Sequence, residues 1–348
     1  MRSHRNIYNV VLGMVFVSLL SSCIENIDLD DLRPDPKLVL NCAAIAEQPI
    51  SAYLSRTWFY CDGKQNLAVE NADVRLYVND VFREKLELSE DTSDLLGPCY
   101  KSEYCPKTGD QLKISASAEG YADIEAKTDI QQPPQVLAVS VHHQHEVEDG
   151  YGWGSDKRCR DDYQLTFRDN PDKENYYLIY FQEASSFQVT EEGDTLYRWK
   201  TSYPDFSSEP IFTNHISAFD RVFENYGVGL AGGIAFSDDA VNGKTYTLTI
   251  KGRTYTNDYP GDPGSSTGGG YGDGDKPHMK SYQVCFFSIS RSYYNYLKTL
   301  EAFYNSSFTG DLASIGLAEP VTIYSNVAGG TGFLGGTSAS QVFEFHGE

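Results

Sequence analysis

Seven cysteines, a short histidine run and four aromatics set among glycines are the side chains of this 348-residue chain whose types invite chemistry. Cys23 sits directly behind Leu20-Ser21-Ser22, at the end of an apolar run from Val10 to Leu20 that only Gly13 and Ser18 interrupt, with Arg2 and Arg5 ahead of it. That run falls well short of the roughly twenty residues a membrane-spanning helix needs, so residues 1–22 read as an export signal peptide. A thiol behind two small residues at that point reads as a lipoprotein acylation site. Cys23 is then the lipid anchor, carrying a palmitate-class chain, and the first residue of the mature protein. The other six, Cys42, Cys61, Cys99, Cys105, Cys159 and Cys285, form an even set in an exported chain, which points to disulfides of open connectivity. Cys99 and Cys105 flank only Tyr100 to Tyr104, so a local bridge between them is feasible. Zinc is the rival use, and the absence of any Cys-x-x-Cys pair weighs against it.

His143 and His145 lie two residues apart, and on a strand they share a face. They are the residues that would hold a divalent cation, although a polar face turned to water is the expected use, so no resident metal and no cofactor is expected. Tyr151, Trp153, Tyr259 and Tyr271 stand among Gly and Asp in two loop-like stretches. Rings so placed can stack on the flat apolar faces of a glycan or peptide while acids and amides accept hydrogen bonds, or they can pin the loops to the fold. The acids Asp258, Asp262, Asp273 and Asp275 lack the spaced oxygen ligands and closing Glu of a calcium loop. His-Glu-x-x-His does not occur. No catalytic residue can be named, and a protein that binds is expected rather than an enzyme. A formal charge of −21 gives nucleic-acid phosphates nothing to approach.

The elements that must position these residues read as mainly β, in two β-sandwich-like domains, the second with one amphipathic helix. Residues 23–35 are an acidic tether. Residues 36–132 carry about six short strands, among them an alternating run over Asn71 to Asn79 and strands over Lys37–Ala46, Ile50–Tyr60, Gln111–Ala118 and Tyr121–Ile130; they suit a small immunoglobulin-like or regulatory-like sandwich. Asp91 to Lys107 reads as a loop stapled by Cys99 and Cys105. Gln131-Gln132-Pro133-Pro134 stops ladder pairing, because proline donates no N–H, and the boundary is placed there. Residues 133–348 form a second β-rich domain with strands over Val136–Val147, Tyr163–Phe167, Tyr176–Val189, Leu196–Thr201, Gly229–Phe236, Lys244–Thr254, Ser281–Ile289, Pro320–Ser325 and Gly332–His346. Residues 256–279 have almost no aliphatic side chain and read as a long Gly/Asp-rich loop, and Ile216–Glu224 reads as a short helix. Ser290 is a good N-cap for a helix over Arg291–Tyr304, where Tyr293, Tyr296, Leu297, Leu300 and Phe303 recur at helical spacing.

Several segments share an order. Pro36-Lys37-Leu38-Val39-Leu40-Asn41 is followed by Asn71-Ala72-Asp73-Val74, Glu119-Gly120-Tyr121, Asp169-Asn170-Pro171 with Glu174-Asn175-Tyr176-Tyr177, and Phe236-Ser237-Asp238 with Asn242-Gly243-Lys244. Glu319 to Asn326 and Gly332-Phe333-Leu334-Gly335-Gly336 close the series. Together they resemble the Bacteroidota outer-membrane lipoproteins called domain of unknown function 4249. The resemblance implies a lipid-anchored, surface-exposed protein of the outer membrane whose partner is a TonB-dependent nutrient receptor, and it carries no catalytic residues. A binding or accessory module for such a receptor is therefore the expected function. A structural or adhesive surface lipoprotein and an uncharacterised hydrolase are the alternatives.

Overall fold

A computed structural model describes residues 33–59, 61–63, 66–89, 97–145, 158–189, 195–202, 204, 206, 209–213, 233–252, 255–256, 281–305, 322–340 and 342–346. Among the described residues, one compact unit holds 33–36, 58, 59, 61–63 and 66, and there the Arg33 guanidinium grips Asp62 through two hydrogen bonds of 2.6 and 2.7 Å and lies 4.7 Å over the Phe59 ring. Everything else belongs to the other unit, which is mainly β.

The first core is built from alternation. In β1 (Leu38–Ile45) every second side chain is buried, Leu38, Leu40, Cys42 and Ala44, because a strand turns successive side chains to opposite faces. β2 (Ser51–Arg56) repeats the pattern antiparallel to it. β3 (Ala72–Val78) contributes Val74 and Leu76, and β4 (Val81–Lys85) and β5 (Glu87–Ser89) follow. β6 (Cys99–Lys101), β7 (Gln111–Ala118) and β8 (Ile124–Asp129) complete this half, with Leu112, Ile114, Ala116, Ile124 and Ala126 buried. β4, β5 and β6 fall where no strand was expected. They are three to five residues long, and β4 has no buried side chain, so periodicity had nothing to register.

The second core collects aromatics. β9 (Gln135–His145), β10 (Arg158–Arg168), β11 (Tyr176–Val189) and β12 (Thr195–Ser202) precede a single turn of helix, α1 (Pro210–Thr213). After it come β13 (Gly233–Ser237), β14 (Thr245–Lys251), β15 (Tyr255–Thr256) and β16 (Ser281–Ile289). Phe167, Phe181, Phe236 and Phe286 are fully buried there, and Phe167 sits edge-on to Tyr177, Phe236 and Phe286 at 5.2, 6.3 and 5.1 Å. The helix α2 (Arg291–Asn305) then precedes β17 (Val327–Ala328), β18 (Thr331–Ala339) and β19 (Phe343–His346). Residues 322–325 of the strand expected over Pro320–Ser325, and Asn326 after them, are irregular. The Tyr324 amide donates to Thr299 Oγ1 of α2, and Asn326 uses its side chain on Lys127 O and on both backbone groups of Leu334. The segment's polar groups are thus taken by local partners instead of a ladder. The helix expected at 216–224 lies outside the described residues, as does all of the long loop expected at 256–279 except Thr256, which ends β15.

The sheets join the two cores. Among the described residues, a ten-stranded sheet runs β12-β11-β16-β18-β1-β2-β6-β5, with β13 paired to β11 and β19 to β16. A five-stranded sheet, β17-β8-β7-β3-β4, shares the first core with β1 and β2, and a sheet of β9, β10, β14 and β15 shares the second with β11 and β16. Gln131–Pro134 carry no ladder pairing, and strands from both sides of them share the ten-stranded sheet. β18 lies parallel to β1, from Val39 opposite Thr331 to Ile45 opposite Thr337, and supplies buried Leu334 to the first core. It also pairs with β16. That close fit explains its glycines: Gly332 has φ +101°, and a Cβ there would meet Leu40 O at 2.1 Å.

Candidate functional site

Cys23, Tyr151, Trp153, Tyr259 and Tyr271 lie outside the described residues. So do the side chains of His143 and His145, whose backbones pair in β9 with Asp161 and Cys159 of β10. Among the described residues no group of three His, Cys, Asp or Glu is placed to hold a metal ion, and no helix is long and apolar enough to cross a membrane. The disulfide expectation is corrected: Cys42, Cys61, Cys99, Cys105 and Cys285 are free thiols, and the staple from Cys99 to Cys105 is not formed. Cys99 is instead committed to the β6 ladder opposite Ser89, and its side chain is buried. Burial drives the Cys42 thiol up to about 12 and that of Cys285 up to about 11, so both stay protonated where most thiols begin to ionise.

What the fold does assemble is a cleft of about 310 Å³ where the Gln131–Gln135 connection passes the turn between β10 and β11. Its floor is a register pair: Tyr177 of β11 opposite Ser288 of β16. One wall is Gln131 to Gln135, including Pro133 and Pro134; the other runs from Arg168 to Asn175. Arg168 stands directly opposite Gln135 in the β9–β10 ladder, which fixes these two side by side.

Beneath the cleft, two buried aspartates hold the turns in place. Asp169, 2 % exposed, accepts from Tyr177 Oη at 2.5 Å and from the Gly243 amide at 2.7 Å, and its own amide donates to Lys244 O at 3.0 Å. Asp238, 1 % exposed, accepts from the Asn175 amide at 2.9 Å and from Asn175 Nδ2 at 3.1 Å. Asn175 Nδ2 also donates to the carbonyls of Asn170 and Lys173. A Cβ on Gly243 (φ +71°) would meet Pro171 Cβ at 2.8 Å, so the Asn-Gly turn presses on the Asn-Pro turn with no room for a side chain. The sequence segments Asp169–Pro171, Glu174–Tyr177, Phe236–Asp238 and Asn242–Lys244 therefore converge on one knot of hydrogen bonds. Burial, then the bond to Asp169, pushes the Tyr177 hydroxyl far above the ordinary tyrosine range, and burial raises Asp238 against the opposing bonds from Asn175. The Tyr177 hydroxyl therefore keeps its proton near neutral pH.

The groups with capacity to spare face the cleft. Arg168 and Lys173 are exposed, and neither side chain has an ion-pair or hydrogen-bond partner among the described residues. Gln132 and Gln135 likewise keep their amides free. Ser288 is 6 % exposed, and its hydroxyl has no partner among the described residues. Sequence reasoning missed this place because its residues come from four segments, none distinctive alone. The pointers were Gln131–Pro134, taken only as a boundary, and the Asp169–Pro171 turn.

A second joint uses Ser290. Its hydroxyl accepts from the Tyr293 amide at 3.3 Å as an N-cap and from the Gly336 amide at 3.0 Å, fastening α2 to β18. The Phe333 ring stacks against Tyr293 and Tyr296, with centroids 5.3 and 3.9 Å apart. The aromatic stripe of the helix is thus spent on packing.

Residues 24–342 match the family described as a domain of unknown function, DUF4249. No curated protein matches. Among solved structures, a chain titled "Biofilm associated protein - B domain" aligns over 89% of this chain and 86% of its own, at 7% identity and a TM-score of 0.19, a likeness too slight to carry any argument.

Proposed function

The chain belongs to the DUF4249 family, and on that premise we propose that it is an outer-membrane lipoprotein, exposed at the cell surface, that serves a TonB-dependent nutrient receptor as a binding or accessory module. Acylation of Cys23 behind Leu20-Ser21-Ser22 anchors it. The observation that carries the reading is how the buried carboxylates are used. Asp169 and Asp238, and likewise Glu209, which accepts from Tyr246 Oη at 2.5 Å and the Thr249 amide at 2.8 Å, all hold backbone in place. The unspent polar groups, in contrast, line a cleft open to a ligand. That division suits a scaffold that presents a binding surface. Tyr151, Trp153, Tyr259 and Tyr271, outside the described residues, are proposed as further ligand contacts in this reading.

Affinity capture of the detergent-solubilised protein is the test. A TonB-dependent receptor should co-purify with the parent, and a fatty-acid probe should label the parent but not Cys23→Ala. Recovery of the parent without any such receptor would refute the partnership, and equal labelling of both proteins would refute the anchor.

A further inference from the structure

We propose that the cleft between Gln131–Gln135 and Arg168–Asn175 binds a small hydroxylated carboxylate of monosaccharide size. The proposal rests on the binding-module reading above and names the chemistry of its ligand.

The charge at the cleft runs against the chain. A formal charge of −21 repels anions at a distance, yet Arg168 and Lys173 both line this space without a carboxylate partner among the described residues. Which effect wins is a matter of range. At physiological salt the field of remote charges is screened over about 8 Å, whereas a guanidinium or ammonium in contact with a carboxylate gains a charge-assisted hydrogen bond, roughly twice as strong as a neutral one. The local pair decides. An acid at the far end of the molecule does not cancel it, and Asp169, the acid that lines the cleft, is consumed by Tyr177 and Gly243.

The remaining lining sets the rest of the ligand. The amides of Gln132 and Gln135 and the hydroxyl of Ser288 each both donate and accept, which suits alcohols rather than a bare anion. The Ser288 hydroxyl has no partner among the described residues and keeps some accessible surface, so it can serve a ligand in the cleft. Pro133, Pro134 and Pro171 offer rigid apolar faces for a C–H surface. The space, about 310 Å³, lies at the small end of ligand pockets. A phosphate ligand is less well served, because no glycine-rich nest of amides lines the cleft, and a cation is repelled by the two positive groups.

Calorimetry of the full-length protein with glucuronate tests the proposal, with glucose as its neutral twin and acetate as its charge alone. The parent should bind glucuronate at least about tenfold more tightly than either. The double variant Arg168→Gln/Lys173→Gln should lose at least about tenfold in glucuronate affinity with an unchanged Tm, since both side chains are exposed. Ser288→Ala should lose a few-fold, and the parent's affinity should fall as NaCl is added. A parent that ignores glucuronate, binds glucose equally well, or is matched by the double variant overturns the proposal. Receptor capture by the double variant separates the two readings: capture with no glucuronate binding by the parent fells the cleft proposal alone, and glucuronate binding with no receptor fells the partnership alone.

Discussion

Cys42 and Asp110 show two ways in which a single side chain is committed by its surroundings. Cys42 is 1 % exposed among Leu38, Leu40, Leu54 and Leu76 and is driven up to about 12 by burial. It should resist a thiol reagent in the native protein at pH 8 and react on unfolding, at the denaturant midpoint seen by circular dichroism; full native labelling would contradict that placement. Asp110 accepts from the Lys107 amide at 2.8 Å, Tyr104 Oη at 2.6 Å and Asn79 Nδ2 at 3.2 Å. Burial pushes its carboxyl up, but these bonds outweigh it and the net shift is down; the same bond to Asp110, ahead of burial, lifts the Tyr104 hydroxyl to about 12. A carboxyl lowered on folding contributes stability above its unfolded value, here 3.8, and loses it as pH falls through the lower folded value. Asp110→Asn should therefore cost about 2 kcal/mol at neutral pH, and the Tm gap from the parent should close as pH drops below 3.8. A gap independent of pH would show that the charge of Asp110 is not what matters. None of this is readable from sequence: Asp110 was one polar residue between strands, and its partners, Asn79 and Tyr104, come from other segments. The cysteine count misled for the reverse reason. It gives number and compartment, while Cα positions decide pairing, and β-strands hold Cys42, Cys99 and Cys285 in ladders apart.

At the scale of elements, what was legible is what obeys a period. β7, β11 and β16 fall within their expected residues, and α2 runs one residue beyond its expected end. β7 keeps a period of two with one face buried, β16 is buried on both faces, and α2 keeps its helical spacing with its apolar side chains half-buried. The short strands β4 to β6 owe their form to neighbours. β4 pairs with β3 alone at the rim of its sheet, with Val81 and Phe82 exposed and Arg83, Glu84 and Lys85 following, charges that discourage edge pairing with another chain. Ser290 gives an element-scale prediction. Its hydroxyl serves two amides, one in α2 and one in β18, so Ser290→Ala strips an N-cap and orphans a buried N–H together. The expected cost is about 2–3 kcal/mol, the sum of a lost cap and an unpaired donor, measured by urea unfolding. Ser290→Asp, which keeps the cap acceptor, should recover part of it. A loss below about 0.5 kcal/mol for Ser290→Ala would mean that water replaces the hydroxyl at both amides.

For the whole molecule, two cores joined by a continuous sheet make the cleft a fixed feature. The connection that walls it is tied down by Ser338 Oγ, which donates to Gln131 O at 2.5 Å, and Thr128 Oγ1 lies 3.3 Å from Ser292 Oγ. The two-sandwich reading was available from sequence because each core draws on its own residue types, aliphatic in the first and aromatic in the second. The parallel pairing of β1 with β18 was not, since its partners lie nearly a chain apart and share no local pattern. Gly332→Ala tests that pairing: with φ +101° and Leu40 O in the way, it should cost about 3 kcal/mol or more, and thermal unfolding that leaves Tm unchanged would refute so close an approach.

That same pairing sets a timetable. A ribosome delivers β1 early and β18 only after eighteen other described elements, so the inner strand of the first sandwich waits, one edge open, until almost everything before β18 has been made. Local hairpins such as β7 with β8 can close at once, while the loop that β18 must close is among the longest available, and its entropy has to be met before any bond rewards it. A nascent or truncated chain that stops before Thr331 should therefore bind a hydrophobic dye and aggregate through β1, and the complete chain should refold with a slow last phase in which amide protection of Leu40 and Leu334 appears together. Such a protein reaches its native state only after synthesis is over, which gives any chaperone that receives it a defined span of chain to guard: one strand, from Leu38 to Ile45.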